Sequence, residues 1–281
     1  MLLLDGAMGT ELQKRGVPTT LPLWSAKALL DAPDEVRKIH LDYINAGADV
    51  ITTNTFRTHR RTFEKAGIGD KAEDATRLAV RLAKEAVEES SRKVLIAGSI
   101  SPLEDCYRPD LSPGESDDEF YEIADILVEE GVDFLLIETM NNLTELRSAI
   151  RGCQKTRKDF WVSVNPSNYD FRVLLSGEKV LEAQRIAEGE GAKAFLVNCA
   201  AMRVIEDAVK MLSENATIPF GGYANNGTPD ERLGWRFDLS ITPEEFAAHA
   251  LRLKDFGATR IGGCCGTSPE HIAKAAELLK G

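Results

Sequence analysis

GVDFLLIE, residues 131–138, joins the end of a helical pattern to an apolar run that stops at a carboxylate. Glycine accepts the left-handed backbone conformation in which many helices end, and Phe134 to Ile137 has the composition of a buried strand. The same joint recurs at Gly47-Ala48-Asp49, Gly191-Ala192-Lys193 and Gly257-Ala258-Thr259, each time before another apolar run. The recurrence predicts that one helix-to-strand unit is repeated along the chain.

Short apolar runs alternate with amphipathic segments over the whole sequence. Asp34 to Ala46 and Glu119 to Glu130, for example, place their apolar residues on one helical face. Repeated strand-then-helix units favour a single (β/α)8 TIM barrel, residues 1–281, over an open doubly wound sheet, which usually has fewer strands. The predicted strands are Leu2 to Leu4, Val50 to Thr53, Val94 to Ala97, Phe134 to Ile137, Phe160 to Val164, Ala194 to Val197, Pro219 to Tyr223 and Arg260 to Gly263.

Composition and charge restrict the class of partner. The chain is 43% hydrophobic and has a net charge of −11, with its acidic residues spread along the sequence. A net negative charge argues against binding nucleic acid, whose phosphates require a basic surface. No apolar run is long enough to span a bilayer, and Met1 to Asp5 lacks the features of a signal peptide, so a cytoplasmic protein that acts on small molecules is expected.

Thiols stay reduced in that compartment, and five cysteines, an odd number, do not indicate a disulfide framework, so metal binding or catalysis is the better use for them. Cys199 follows the sixth predicted strand, and Cys264 and Cys265 follow the eighth. Barrel enzymes place their chemistry at these strand ends, so the three thiols should meet at one mouth. Neighbouring side chains of a strand point to opposite faces, and the glycines around the Cys-Cys pair allow the backbone to turn both thiols to one ion.

Three thiolates favour zinc, at one ion per chain. A disulfide between Cys264 and Cys265 is geometrically poor, because adjacent Cα atoms are closer together than bridged cysteines prefer. Three protein ligands and one vacant position are typical of a catalytic zinc site. The remaining cysteines and the histidines are assigned structural roles: Cys106, Cys153, His40, His59, His249 and His271.

Five short motifs lie at or beside the strand ends: Asp5-Gly-Ala-Met-Gly-Thr10, Thr53-Asn-Thr-Phe56, Ile137-Glu-Thr139, Val197-Asn-Cys199 and Gly262-Gly-Cys-Cys-Gly266. With them the chain resembles the homocysteine S-methyltransferase family over nearly its whole length. The family includes S-methylmethionine- and S-adenosylmethionine-dependent enzymes, betaine-homocysteine methyltransferase and the homocysteine module of methionine synthase. The resemblance implies a (β/α)8 barrel in which Cys199, Cys264 and Cys265 bind zinc and the homocysteine thiol takes the open position.

The resemblance also implies how the substrate is held. Asp5 and Glu138 are expected to bind its ammonium group. An amino acid also needs N–H donors for its carboxylate, which the backbone of Gly6, Ala7 and the residues up to Gly9 could provide. Asn54 and Asn198 are candidates either for contact with a ligand or for bracing the loop backbone.

A cationic methyl donor, most simply a sulfonium, would suit this anionic mouth. Phe56, Tyr107 and Trp235 are candidates to lie against its charge, although packing is the commoner use for aromatic side chains. The loops 101–114 and 225–236 are expected to cover the mouth, and the atypical segments 163–172 and 224–236 to face the donor.

Other functions stay open on the sequence alone. Betaine is a possible donor, and folate or a corrinoid could serve only through partner proteins. A thiol other than homocysteine could be the acceptor. A non-enzymatic zinc barrel that senses thiol oxidation, or a binding subunit that has lost activity, would also explain the cysteines.

Overall fold

The computed structural model describes residues 1–230, 234–236 and 241–281; for residues 229, 230, 234 and 235 it describes the backbone alone. The strands are β1 (Leu2–Leu3), β2 (Val50–Thr52), β3 (Leu95–Ile100), β4 (Phe134–Met140), β5 (Phe160–Val164), β6 (Phe195–Ala201), β7 (Phe220–Asn225), β8 (Thr228–Asp230), β9 (Gly234–Arg236) and β10 (Arg260–Gly263).

Within the described residues, eight of these strands form one parallel sheet in the order β1-β10-β7-β6-β5-β4-β3-β2. A bridge between Leu4 and Val50 brings the two ends of the sheet together, so the sheet closes on itself. β8 and β9 pair separately as an antiparallel hairpin. The predicted single (β/α)8 TIM barrel is confirmed, and every predicted strand has its counterpart.

Helices separate the parallel strands and surround the sheet. The glycines of the four repeated joints all have positive φ, at 106° for Gly47, 80° for Gly131, 90° for Gly191 and 90° for Gly257, as their helix-ending role predicts. Among the described residues, no helix is long and apolar enough to cross a lipid bilayer. The helices are α1 (Gly9–Lys14), α2 (Lys27–Asp31), α3 (Pro33–Asn45), α4 (Arg60–Lys65), α5 (Ala72–Ser90), α6 (Asp117–Glu129), α7 (Leu143–Gln154), α8 (Val180–Gly189), α9 (Met202–Ser213), α10 (Pro243–Asp255) and α11 (Pro269–Lys280).

Large side chains fill the inside of the barrel at the amino ends of the strands. Phe134 stacks on Trp161 with ring centroids 4.1 Å apart, and the Arg260 guanidinium covers Trp161 at 5.0 Å from the ring centroid. These residues lie in the first two positions of β4, β5 and β10, so this cluster lies at the amino ends of the strands. The interior at the carboxyl ends is left to polar side chains.

Four strands extend beyond their predicted ends, and β4 and β6 show why. Each contains a register shift against its neighbour, and each has a non-glycine residue with φ of 62° there, Thr139 in β4 and Cys199 in β6. Such a bulge re-aims side chains without ending the strand. The apolar pattern stops at Ile137 and Val197, whereas the strands continue to Met140 and Ala201.

Candidate active site

A cavity of about 1340 Å³ opens at the carboxyl ends of the strands. Its lining includes residues in or after seven of the eight barrel strands, at the ends where barrel enzymes carry their chemistry. Among the predicted site residues, the cavity is lined by Asp5, Gly6, Ala7, Asn54, Glu138, Cys199, Cys264 and Cys265. Asn198 is the predicted site residue that does not line it.

The three predicted thiols meet in this cavity. The sulfur atoms of Cys199, Cys264 and Cys265 lie within 4.8 Å of one another, and no carboxylate or imidazole of the described residues belongs to the group. Tetrahedral coordination with Zn–S bonds of about 2.3 Å separates two sulfurs by about 3.8 Å, so three sulfurs this close together can share one ion. The arrangement fits a metal ion that retains an open position.

Backbone hydrogen bonds fix the Cys-Cys pair beyond the end of β10. Cys264 N–H donates to Ala224 O at 2.8 Å, and Cys265 O accepts from Asn226 N–H at 2.7 Å. A Cβ on Gly263 would lie 2.3 Å from Thr267 Oγ1, so glycine is required for the turn to pack this closely. The two thiols therefore follow the end of the strand. This allows both of them to face the same metal ion, which neighbouring residues within a strand cannot do.

The thiols are difficult to ionise without a cation. The hydrogen bond with Cys264, and then burial, raise the pKa of Cys199 well above its ordinary value. The hydrogen bond with Cys199, and then burial, do the same for the pKa of Cys265. Three thiolates at this separation need a positive charge between them, which a divalent metal would supply.

Two buried carboxyl groups share the cavity with the thiols. Asp5 Oδ2 accepts the Thr52 N–H at 2.8 Å, and Asp5 Oδ1 accepts the Thr52 hydroxyl at 3.0 Å. Glu138 accepts hydrogen bonds from the hydroxyls of Ser99 and Tyr223, the latter at 3.0 Å. Burial raises the pKa of Asp5 to about 8 and also raises the pKa of Glu138. An ammonium group would restore the charged form of both.

The segment after β1 presents free donors to the same cavity. The N–H groups of Gly6 and Ala7 donate to no acceptor among the described residues, while the Tyr43 hydroxyl donates to Ala7 O at 2.9 Å. Asn54 donates through Nδ2 to Ser25 O at 3.0 Å. Its Oδ1 is buried without a partner, so it remains available to a ligand.

Asn198 has a structural position. It is fully buried, donates through Nδ2 to Thr139 Oγ1 at 2.8 Å, and accepts the Ser163 hydroxyl at 2.7 Å through Oδ1. The same Oδ1 accepts the Thr139 N–H at 3.2 Å. Two uses were expected for Asn198, contact with a ligand and bracing of the backbone. The geometry shows bracing, because both polar atoms of its side chain are hydrogen-bonded to Thr139 and Ser163.

The remaining expectations divide between the cavity and the scaffold. Phe56 and Tyr107 line the cavity, and the Tyr107 hydroxyl lies 3.1 Å from Cys199 Sγ; the Trp235 side chain lies outside the described residues. None of the four histidines lines the cavity, and Cys153 is buried in α7. Cys106, assigned a structural role, does line it.

The loop expectations had mixed outcomes. Residues 105–108 of the first predicted cover line the cavity, whereas no residue of segment 163–172 does. That segment instead supports β6, since Asn168 Oδ1 accepts the Ala201 N–H at 3.0 Å. Residues 231–233 of the other loop lie outside the described part of the chain.

Sequence reasoning missed several residues that build the site. Thr52, Ser99 and Tyr223 hold the carboxyl groups, and Trp24 and Arg57 line the cavity. Threonine, serine and tyrosine are ordinary strand residues, so only their position at strand ends could have marked them. Arg57 lies in the loop that follows β2 and could have been found by the same criterion.

Known proteins of similar sequence and structure agree with this geometry. A family model described as homocysteine S-methyltransferase matches residues 2–279. Homocysteine S-methyltransferase YbgG of Bacillus subtilis is 29% identical, with 98% of this chain and 93% of the relative covered. Selenocysteine methyltransferase of Astragalus bisulcatus is also 29% identical, with 98% and 91% covered. The metallated form of the Escherichia coli homocysteine methyltransferase MmuM superposes with a TM-score of 0.83 at 27% identity, covering 99% of this chain and 96% of that one.

Proposed function

The chain belongs to the homocysteine S-methyltransferase family, and on that basis we propose that it transfers a methyl group from a sulfonium donor to the thiol of homocysteine, forming methionine. It is a methyltransferase by family. The observation that supports the assignment best is one cavity that holds three convergent thiols beside two buried carboxyl groups.

Cys199, Cys264 and Cys265 would hold one zinc ion. A bound zinc ion stabilises the deprotonated form of a thiol at neutral pH, and so supplies the nucleophile without a general base. The protein contributes the fixed positions of the three sulfurs, which the backbone bonds of the Cys-Cys turn and the bulge at Cys199 maintain.

Asp5 and Glu138 would bind the ammonium group of homocysteine, and the unpaired N–H groups of Gly6 and Ala7 its carboxylate. Thr52, Ser99 and Tyr223 hold the two carboxyl groups in place. Fixing both polar ends of the amino acid leaves its thiol side chain to extend towards the cysteines. Positioning of this kind lowers the entropic part of the barrier to methyl transfer.

Phe56 and Tyr107 supply aromatic surface beside the acceptor position, where a sulfonium can lie against the ring faces. The methyl carbon forms its bond to the homocysteine sulfur while its bond to the donor sulfur breaks, and the donor leaves as a neutral thioether. The anionic groups of the cavity favour a cationic donor over a neutral one.

The rival with no enzymatic activity, a thiol-based redox sensor, explains the cysteines but gives no use for the carboxyl pair. Family membership supports an enzyme instead. The acceptor needs a direct test, because one relative is named for selenocysteine rather than homocysteine.

A screen of donors and acceptors tests the proposal. Zinc-loaded protein is incubated with homocysteine and each of S-methylmethionine, S-adenosylmethionine, betaine and methyltetrahydrofolate, and methionine is measured. We expect methionine from one or both sulfonium donors and little from the others. Cysteine and selenocysteine replace homocysteine in a parallel series, in which slower transfer is expected.

Cys265→Ser provides the matched control, because it removes one thiol and keeps the size of the side chain. It should lose both bound zinc and methyl transfer. No transfer from any donor by fully loaded wild-type protein would refute the proposed function, and full activity in the variant would refute the metal assignment.

A further inference from the structure

Two arginines of the described residues line the cavity. One of them pairs with a carboxylate and the other does not. Arg108 forms two hydrogen bonds with the carboxylate of Asp110, at 2.8 and 2.6 Å. Arg57 donates through Nη1 to a neutral acceptor, Glu104 O, at 2.9 Å. The carboxylate of Glu104 is itself paired with Arg61 and Lys65.

Arg57 has no carboxylate of the described residues within the 4.0 Å of an ion pair. Its guanidinium lies 5.7 Å from the centroid of the Phe56 ring, so the ring covers one face of the group. The N–H donors at the edge of the guanidinium that are not used by Glu104 O can bind a ligand. A planar guanidinium with free donors matches a carboxylate in shape and charge. In a cavity that otherwise holds thiols and carboxyl groups, a guanidinium without an ion-pair partner points to an anionic group on a substrate.

Two substrates could supply that group, and the position of Arg57 favours the donor. The ammonium and carboxylate of an amino acid share one carbon, so an acceptor bound at Asp5 and Glu138 keeps its carboxylate next to them. The two carboxyl groups accept hydrogen bonds from Thr52, Ser99 and Tyr223, and Arg57 forms an ion pair with neither of them. Arg57 instead donates to Glu104 O, so it lies beside the 104–108 loop.

We propose that Arg57 binds the carboxylate of the methyl donor, which makes the preferred donor a sulfonium that also carries a carboxylate. The inference deepens the proposed function and rests on it for the identity of the two substrates. The sulfonium lies towards the thiols and the ring of Phe56, and the donor's carboxylate lies at the outer end of the cavity. Arg57 then acts as a specificity-determining residue and takes no part in bond making or breaking.

Binding measurements test this without turnover. Zinc-loaded protein is titrated calorimetrically, in the absence of homocysteine, with S-methylmethionine and with its carboxamide, which keeps the sulfonium and lacks the carboxylate. Wild-type protein should bind the carboxylate form about 10- to 100-fold more tightly, the usual range for a charge-assisted hydrogen bond. Arg57→Gln should remove the preference by weakening binding of the carboxylate form alone, and Arg57→Lys should keep part of it.

Arg108→Gln is the matched control, since it removes the other arginine of the cavity, whose charge Asp110 already matches. Its donor preference should remain within about threefold of wild type, as expected for loss of an exposed pair. Steady-state kinetics add a second readout, because Arg57→Gln should raise the KM for the donor and leave the KM for homocysteine unchanged.

Several results would overturn the inference. These are equal binding of the two ligands by wild-type protein, no measurable binding of S-methylmethionine, an equal loss of both ligands in Arg57→Gln, or a raised KM for homocysteine instead. An equal effect of Arg108→Gln would show that overall charge, and not a contact with Arg57, sets the preference. Absence of methyl transfer in wild-type protein would refute the proposed function alone, because the binding ratio still decides the role of Arg57.

Discussion

The Glu138 carboxylate is held by two hydroxyl donors and is not part of the cysteine group. A substitution at Glu138 therefore tests substrate binding without removing a metal ligand. Glu138→Gln removes the negative charge and faces one of those hydroxyls with an amide N–H. We expect the KM for homocysteine to rise about 10- to 100-fold, since a charge-assisted contact to the ammonium is lost. Zinc content, measured by atomic absorption, should stay at the wild-type level.

Tyr223→Phe is the informative companion variant, because it removes one hydrogen bond to Glu138 and keeps the charge. Its KM should rise less than that of Glu138→Gln. Loss of zinc from Glu138→Gln would contradict the assigned role and place the carboxylate in the metal site.

Asp5 makes stability depend on pH. Its pKa is about 8 in the folded protein against 3.8 for the ordinary side chain, so between these values the folded protein holds a proton that the unfolded chain has released. The contribution of Asp5 to the free energy of unfolding is therefore present at low pH and lost as pH rises through about 8, by at most about 1.4 kcal/mol per pH unit.

Urea unfolding of metal-free protein at several values between pH 5 and pH 8 measures this effect. Wild type should lose stability relative to Asp5→Asn as the pH rises, since asparagine does not titrate. Parallel pH profiles for the two proteins would show that Asp5 is ionised in the fold.

The bulges of β4 and β6 depend on one another through Asn198. Its side chain satisfies the Thr139 N–H and hydroxyl and the Ser163 hydroxyl, next to two residues with left-handed backbone. Asn198→Ala leaves these buried groups without partners and should lower the free energy of unfolding by about 2 to 4 kcal/mol. Because Cys199 lies on the released bulge, zinc affinity should fall as well.

Asn168→Ala is the control at the same strand end, where an exposed asparagine accepts the Ala201 N–H. Its expected cost is about 0.5 kcal/mol, because water can replace the lost acceptor. Urea denaturation and competition with a chelator measure the two quantities, and equal effects of the two variants would argue against a special role for Asn198.

The bulges also mark the limit of what the sequence could predict. Strand positions follow from apolar runs and glycine joints, and the thiols could be assigned to one mouth because parallel strand ends share an edge. A left-handed threonine or cysteine has no local signal, since both bulges rest on the contact of Asn198 in β6 with Thr139 in β4. For the same reason Asn198 could be placed near the site but not assigned to the brace, and the contact between Asp5 and Thr52 could not be foreseen.

At the scale of the molecule, the metal should bind the folded barrel far better than the unfolded chain, because its three sulfurs come from strand ends distant in sequence. Removing zinc with a chelator should lower Tm by about 5 to 15 °C for a site loaded well above its Kd. Differential scanning calorimetry measures the shift. Cys265→Ala should show none, and an equal shift in that variant would mean that the chelator acts elsewhere.

The junction of β1 with β2 closes the barrel with few backbone contacts, and two aspartates extend it. Asp49 Oδ2 accepts the Leu3 N–H at 2.9 Å, and Asp5 Oδ2 accepts the Thr52 N–H at 2.8 Å. Asp5 is also the proposed partner of the ammonium group. Binding of homocysteine would therefore hold Asp5 in place and make local opening of the β1–β2 edge rarer. Deuterium uptake at the Thr52 amide should then slow when the amino acid binds, and remain fast in Asp5→Asn.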